Sequence, residues 1–202
     1  MNENVLSILT IGHSNHTMEM FLQLLDRHHV SALADVRSAP YSRFNPQFNR
    51  EQLAECLKNS RIEYVYLGRE LGGRSDDPSC YEHGRIRYDR LSRTPSFHEG
   101  LKRLVRRAEE YDIALMCAEK EPLHCHRTLL VGHELNKMHG VDVTHILPDG
   151  RLEPHKDTMN RLLAKFKHLR EEDWFKSRDE RISDAIAFQT ERVGHKNDQF
   201  LT

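Results

Sequence analysis

Short apolar runs alternate with amphipathic stretches along most of the chain. The apolar runs predict strands near 5–11, 32–36, 62–67, 113–117 and 141–147. The stretches between them repeat apolar residues at helical spacing, as in 18–25, where Met18, Phe21, Leu22 and Leu25 share one face. Strands that alternate with helices favour a mostly parallel sheet covered by helices on both faces. We therefore predict an α/β fold of the Rossmann-like type.

Helix start signals support this division of the chain. Thr17 is a good N-cap for the first helix, and Thr94 precedes Pro95 at the start of a later one. Asn49 and Gln52 have the spacing of a capping box, which predicts that each side chain bonds to the other's backbone amide.

The end of the chain differs from the rest. A turn at Pro148-Asp149-Gly150 leads into a short return strand, which predicts a small antiparallel edge near 141–153. We assign residues 1–155 to one α/β domain. Residues 156–202 are predicted to form a C-terminal extension with one charged helix, about 158–168, and a polar tail.

Composition narrows the classes of protein. The 202 residues include 30 Lys and Arg against 31 Asp and Glu, so a general electrostatic nucleic-acid binder is disfavoured and any such binding needs a local patch. No apolar run approaches the ~20 residues of a membrane span, and the N-terminus lacks the features of a signal peptide. We expect a cytoplasmic protein without a membrane partner, in which the four cysteines are thiols, metal ligands or reactive groups. The oligomeric state stays open.

Polar motifs follow several of the predicted strands directly. In an open parallel sheet the carboxyl ends of the strands form the usual ligand-binding edge, so these motifs are expected to share one site. The motifs are Gly12-His13-Ser14, Asp35-Val36-Arg37, Leu67-Gly68 and Cys117-Ala118-Glu119-Lys120.

The segment from Cys117 to Arg127 is the densest of these motifs. Glu119 is a candidate nucleophile or general base, with Lys120 as an electrostatic stabiliser. Cys117 and Cys125 are candidates for thiol chemistry or, with a histidine, for metal binding, although the spacing Cys-x7-Cys-His is unfamiliar. A helix is predicted from Pro122 to about Met138, with Leu123 to Arg127 in its first turn, and Arg127 at this helix start is a candidate anion contact. A buried core thiol is the alternative for Cys117.

A second cluster follows the strand at 32–36. Asp35 is a further candidate nucleophile or base, and Arg37 and Arg43 are candidate phosphate contacts. Aromatic residues alternate with arginines in this segment, in a pattern typical of surfaces that bind a nucleotide or single strand: Tyr41, Phe44 and Phe48 with Arg37, Arg43 and Arg50. Ser42 is a further candidate contact in the same segment. The alternative is an Asp35–Arg37 pair in a loop that packs on itself.

Glycines and small polar residues complete the candidate set. Gly12 permits close backbone approach, His13 and His126 are candidate proton carriers, and Ser14 offers a hydroxyl. The segment Gly72-Gly73-Arg74 suggests a hinge or a point of phosphate approach. The chain has neither Gly-x-Gly-x-x-Gly nor a P-loop, so dinucleotide binding is not predicted.

Taken together, the motifs resemble the bacterial and archaeal domain-of-unknown-function family 488. The resemblance spans roughly residues 5 to 155 and implies an α/β fold, but it implies no chemistry. The motifs that carry it are Thr10-Ile-Gly-His-Ser14, Asp35-Val-Arg-Ser-Ala-Pro40, Leu71-Gly-Gly73, and Cys117-Ala-Glu-Lys120 with Cys125-His-Arg127.

Three functions fit these residues. The first is an enzyme that cleaves a glycosidic or phosphoester bond in a nucleotide or nucleic acid. The second is a thiol-based redox, sulfur-handling or metal-binding protein that uses Cys117 and Cys125. The third is a nucleic-acid-binding module without catalysis. For the first function we assign neither a metal nor a cofactor.

Overall fold

A computed structural model describes residues 6–166 and 176–200 of the chain. Its centre is a six-stranded sheet in the order β3-β2-β6-β1-β7-β8, in which every pair is parallel except β7 and β8. These strands are β1 (Ser7–Gly12), β2 (Ala32–Asp35), β3 (Glu63–Tyr66), β6 (Ile113–Cys117), β7 (Asp142–Ile146) and β8 (Leu152–Pro154). The predicted α/β fold and its antiparallel edge are confirmed.

Eight helices and a small hairpin complete the described architecture. The hairpin, β4 (Tyr81–Glu82) and β5 (Arg85–Ile86), lies between β3 and the predicted helix that begins at Pro95, in a segment where the sequence predicted no strand. The helices are α1 (Met18–Arg27), α2 (Arg50–Asn59), α3 (Gly68–Leu71), α4 (Tyr88–Leu91), α5 (Pro95–Ala108), α6 (His133–His139), α7 (His155–Lys165) and α8 (Arg178–Val193).

The N-caps predicted at Thr17 and Thr94 are confirmed, whereas the capping box predicted at Asn49 is not. Thr17 and Thr94 accept hydrogen bonds from the backbone amides of Met20 and Phe97, as N-caps do. Asn49 occupies the N-cap of α2 but makes no capping bond, so the predicted capping box is wrong. Its Oδ1 accepts instead from the amide of Ser42, because the preceding loop folds back over the start of the helix.

Side-chain alternation along the strands divides the core into two layers. In β6, Ile113, Leu115 and Cys117 pack on the face covered by α5, α7 and α8, whereas Ala114 and Met116 pack on the face covered by α1 and α2. In β2, Leu33 packs on the α1–α2 face and Ala34 on the opposite one. This alternation decides which strand-end side chains can meet.

The residues after 155 contribute to the same core as the strands. Met159 and Leu162 of α7 and Ile182 and Ala185 of α8 are buried in the layer that contains Cys117. The predicted helix near 158–168 is α7, which begins three residues earlier; its predicted end lies outside the described residues. The polar tail contains α8, whose start has a complete capping box at Ser177 and Glu180. No helix in the described residues is both long and apolar enough to cross a bilayer.

Candidate functional site

The topology places the end of β6 at the middle of the candidate site. β6 lies between β2 and β1, so its last residue, Cys117, has the carboxyl ends of both neighbours beside it. The amides of His13 and Val36 donate to the carbonyls of Cys117 and Met116, at 2.9 and 3.1 Å, which extends the pairing beyond the strands. Three of the predicted motifs therefore meet at one edge.

Four side chains converge where β6 ends. Oε2 of Glu119 lies 2.9 Å from the Sγ atoms of both Cys117 and Cys125. Nδ1 of His126 lies 3.6 Å from Sγ of Cys117 and 4.0 Å from Sγ of Cys125. The four potential ligand atoms all lie within 4.8 Å of one another. We call Cys117, Glu119, Cys125 and His126 the cysteine cluster.

The orientation of His126 follows from its other ring nitrogen. Nε2 lies 2.8 Å from the backbone carbonyl oxygen of Val36, which can only accept a hydrogen bond. Nε2 therefore carries a hydrogen, and in the neutral ring Nδ1 presents its lone pair to the sulfurs. A Cβ on Gly73 would lie 2.9 Å from Cγ of this ring, so the glycine allows the loop to pack against it.

The two thiols differ in their electrostatic surroundings. Burial and the hydrogen bond with Cys125 raise the pKa of Cys117. Burial also opposes ionisation of Cys125, but the hydrogen bond from Cys117 and the nearby Arg127 outweigh it and lower the pKa of Cys125. Burial, with the charge of Cys125, raises the pKa of Glu119. The first negative charge of the pair therefore belongs on Cys125.

An irregular helix start brings Cys125 and His126 to this point. A 3₁₀ turn (Pro122–His124) ends at Cys125, and a π-helical segment (Arg127–Gly132) leads into α6. π-helical segments often occur at functional sites. The sequence predicted one helix from Pro122, with Leu123 to Arg127 in its first turn. The break at Cys125 instead directs its side chain back toward Cys117.

Arg127 is fully buried, with no accessible surface. Its Nη1 donates to the carbonyl of Glu119 at 2.6 Å, and its Nη2 reaches the carbonyl of Lys120 at 3.4 Å. A Cβ on Gly12 would lie 2.0 Å from the same Glu119 oxygen, so the end of β1 also packs directly on this turn. Arg127 and Gly12 therefore position the Glu119 backbone, and neither faces an anion in solvent.

A cleft of about 240 Å³ opens above the cysteine cluster. Its rim comes from parts of the chain that carried no predicted site residue: the 3₁₀ turn at His124, the start of α4 at Tyr88, and the segment after α8. The lining residues are Arg37, Ser38, Ala39, Gly73, Arg74, Tyr88, Cys117, Ala118, Glu119, His124, His126, Val193 and His195. The sequence placed Arg74 in a predicted hinge or phosphate-approach point, but sequence reasoning missed Tyr88, Val193 and His195, because no local pattern relates them to β6.

Comparison with protein-family models identifies the family of the chain. Residues 17–133 match the family model described as "Domain of unknown function DUF488". The chain belongs to the DUF488 family. The matched range includes the whole cysteine cluster and ends at the start of α6. No curated protein and no solved structure shows significant similarity to the chain.

Asp35 and Arg37 form a second network at the end of β2, in which Asp35 lies on the other face of the DUF488 sheet and Arg37 also lines the cleft. Asp35 is fully buried, and its two oxygens accept from Nε and Nη2 of Arg37 at 2.9 and 2.7 Å. Its Oδ2 also accepts from the hydroxyl of Tyr64 at 2.8 Å. The predicted alternative of a pair between Asp35 and Arg37 is what the structure shows, and every oxygen of Asp35 has a partner.

His13 belongs to this second network. Its ring stacks on Phe48 with centroids 4.4 Å apart, and its Nε2 lies 3.3 Å from Nη1 of Arg37. Nε2 accepts from the arginine, so Nδ1 carries the hydrogen that the carbonyl of Ser14 accepts at 2.9 Å. Burial and the charge of Arg37 lower the pKa of His13 to about 4. At neutral pH the ring is an uncharged acceptor.

The remaining predicted residues lie around the rim or beyond it. Tyr41 is 57% exposed and donates to Glu51, and Arg43 covers the ring of Phe44, which is 80% exposed. None of these three lines the cleft. Ser42 caps its own loop through hydrogen bonds to the amides of Phe44 and Asn45.

Three other predicted residues complete the set. Lys120 is exposed next to the cluster, and Ser14 is half-buried and donates to Asn15. A Cβ on Gly72 would lie 2.3 Å from the Gly68 carbonyl, so Gly72 serves close packing between α3 and the loop after β2.

Proposed function

We propose that this DUF488 chain is an enzyme that cleaves a glycosidic or phosphoester bond in a nucleotide or nucleic-acid substrate, with the cleft above Cys117 as its active site. The observation that carries the proposal is the position of Glu119. Among the described residues that line the cleft it is the only carboxylate, and it is exposed to solvent beside the three buried residues of the cysteine cluster.

The hydrogen bonds of Glu119 leave one oxygen available. Both side-chain bonds that the described residues make with it go to Oε2. Oε1 can therefore accept from a water molecule or from a substrate hydroxyl in the cleft. A carboxylate with one oxygen fixed by hydrogen bonds and the other free to accept a proton is suited to the role of general base.

The reaction that follows from this position is hydrolysis. A water molecule adds its oxygen to the electrophilic carbon or phosphorus while Glu119 takes the proton. The bond to the leaving group then breaks with its electron pair, and the protonated Glu119 returns the proton to the leaving oxygen or nitrogen. The carboxylate is restored, and one water is consumed for each bond cleaved.

Positive charges around the cleft support an anionic substrate. Four of the five N–H groups of Arg37 donate to Asp35, Phe48 and His13, which leaves one on Nη1. Arg74 is exposed on the rim next to His195, and burial together with the charge of Arg74 lowers the pKa of that histidine. These groups can contact phosphate oxygens locally, although the chain as a whole carries no net positive charge.

The test is a substrate screen with matched carboxamide variants. The full-length protein is incubated with nucleotides and with short single- and double-stranded oligonucleotides, and products are separated by chromatography. Glu119→Gln is expected to lower the rate by about 10²–10⁴-fold, the usual contribution of a general base. Glu121→Gln is the control, because Glu121 binds Arg161 and does not line the cleft.

Three outcomes separate the candidate functions. Equal rates for wild type and Glu119→Gln on every cleaved substrate contradict the proposal. Salt-dependent binding without any product favours a binding module. Loss of activity in Cys117→Ser with only partial loss in Glu119→Gln favours the second candidate, a thiol-dependent enzyme.

The second candidate has its own observation in support. Cys117 lines the cleft while Cys125 lies behind it, and both contact the same carboxylate oxygen. All four cysteines are free thiols. We propose a cytoplasmic location on the same ground, since a reducing compartment preserves such thiols.

A further inference from the structure

The cysteine cluster has the composition of a metal site. We propose that Sγ of Cys117, Sγ of Cys125 and Nδ1 of His126 bind one zinc ion, with Glu119 beside it. Within the described part of the chain, these residues and Glu119 are the one group of three or more potential ligands whose atoms lie within 4.8 Å of one another. The inference goes beyond the proposed function, because metal binding is measurable without any substrate.

The distances between the ligand atoms agree with a shared ion. Zinc binds thiolate sulfur at about 2.3 Å and imidazole nitrogen at about 2.1 Å, so two such ligands at a tetrahedral angle are roughly 3.6 Å apart. Nδ1 of His126 lies 3.6 and 4.0 Å from the two sulfurs. The two sulfurs lie within 4.8 Å of each other, so an adjustment of at most about 1 Å would bring all three atoms onto one ion.

The orientation of His126 is that of a metal ligand. A histidine that binds a metal through one nitrogen usually donates its other N–H to a carboxylate or a backbone carbonyl, which fixes the ring. Nε2 of His126 donates to the carbonyl of Val36 at 2.8 Å. The strand next to β6 thus holds the ring with Nδ1 directed at the sulfurs.

The distances place Glu119 beside the proposed zinc ion and not among its ligands. A fourth ligand on the same ion would lie roughly 3.5 Å from each sulfur. Oε2 of Glu119 lies 2.9 Å from both, which is a hydrogen-bond distance to a thiol. Three protein ligands and an open position are typical of catalytic zinc sites, and here Cys117 and Glu119 both line the cleft. Thiolate and imidazole ligands favour zinc over magnesium or calcium.

The sequence assigned no metal because its spacing matched no familiar pattern. Zinc motifs that are recognised from sequence place two cysteines in one tight loop. In this chain Cys117 comes from a strand end, and Cys125 and His126 come from the irregular helix start after it. The eight-residue separation becomes a short distance only through the turn that Arg127 holds.

The experiment measures metal content and cobalt spectra of the full-length protein. The chain is stripped with a chelator, dialysed and titrated with Zn²⁺ against a colorimetric competitor. We expect about one equivalent of zinc per chain. Titration with Co²⁺ should give the absorption of a tetrahedral ion together with sulfur-to-cobalt charge transfer. Cys117→Ser and Cys125→Ser should each weaken binding by at least about tenfold.

Matched variants and a direct spectrum keep the proposal open to refutation. Cys56→Ser and Cys80→Ser are the controls, because both cysteines lie outside the cluster and should leave the affinity unchanged. Glu119→Gln should retain one equivalent and the tetrahedral cobalt spectrum. If wild-type protein binds no stoichiometric Zn²⁺, or if Co²⁺ shows no sulfur ligation, the proposal is wrong whatever the variants do. Equal affinity in Cys117→Ser and Cys80→Ser would overturn it as well.

Discussion

Two neighbouring strands end in polar motifs that look equally functional in the sequence, yet their side chains do different things. After β2, Asp35 and Arg37 neutralise each other on the α1–α2 face of the sheet. After β6, Cys117 and Glu119 meet Cys125 and His126 on the opposite face, under an open cleft. Asp35 and Met116 are register partners and point to the same side, which separates Asp35 from Cys117.

Hydrogen-bond satisfaction is what distinguishes the two regions. Both oxygens of Asp35 accept bonds from Arg37, and Tyr64 adds a further bond to Oδ2, so the carboxylate has little left to offer a substrate. The cysteine cluster instead directs two sulfurs and a nitrogen lone pair toward one point. Buried charges whose hydrogen bonds are all made within the protein stabilise the fold. Ligand atoms that face one another can take part in a reaction or bind an ion.

The largest expected difference between the regions is in stability. Asp35→Asn leaves the buried guanidinium of Arg37 without its counter-charge, and breaking a buried pair in this way costs about 3–5 kcal/mol of unfolding free energy. Glu119→Gln should change that free energy by less than about 1 kcal/mol. Urea denaturation of both variants checks the contrast, and similar losses would mean that the two carboxylates do not differ as described.

A smaller effect is expected in the pH dependence of the unfolding free energy, through His13 beside the Asp35–Arg37 pair. Burial and Arg37 lower the pKa of His13 from 6.5 to about 4 in the folded chain. As the pH falls, His13 is therefore protonated in the unfolded chain before it is protonated in the folded chain. The stability that is fully present above pH 6.5 is lost as the pH falls toward 4. For this one group the loss is up to about 3 kcal/mol.

His13→Gln isolates that contribution, because glutamine keeps an acceptor for Arg37 and does not titrate. Unfolding free energies measured between pH 7.5 and 4 should fall less steeply in this variant than in the wild type. The exposed His139→Gln should follow the wild-type curve. A His13→Gln curve parallel to the wild type would show that His13 titrates normally.

The smallest expected effect compares two buried cysteines. Cys117→Ser should cost less than about 1 kcal/mol, since a serine hydroxyl can donate to Glu119 as the thiol does. Cys80→Ser should cost about 1–3 kcal/mol, because it places a hydroxyl in an apolar part of the core. Thermal unfolding of metal-free protein gives the comparison, and a larger loss for Cys117→Ser would contradict it.

The pattern of apolar and polar residues along the chain was sufficient to predict the main sheet and most of the helices. Apolar runs located five strands of the main sheet, the turn signal after the fifth located β8, and the local signals at Thr17 and Thr94 gave true helix starts. The hairpin of β4 and β5 was missed because strands of two residues have no period to detect. α8 was missed because its charged surface resembles a polar tail, and only packing against α7 and the core shows its buried side.

The candidate site was predicted in part. The convergence of Cys117, Glu119, Cys125 and His126 could be expected from their position at a strand end and the following helix start. The burial of Arg127 could not, since a charged residue near a helix start is usually solvated. Arg74 and His195 are distant in sequence from the cluster and reach the cleft only through the fold.

The sequence by itself determined the order of elements, the α/β class and the strand end that carries reactive side chains, because these depend on local periodicity and on the alternation of faces along each strand. The tertiary structure decided which of those side chains are saturated by partners and which remain directed at one another. That division depends on distances of a few ångströms between residues from different elements. It separates Asp35, held by Arg37, from Glu119, which lies beside two thiols under an open cleft.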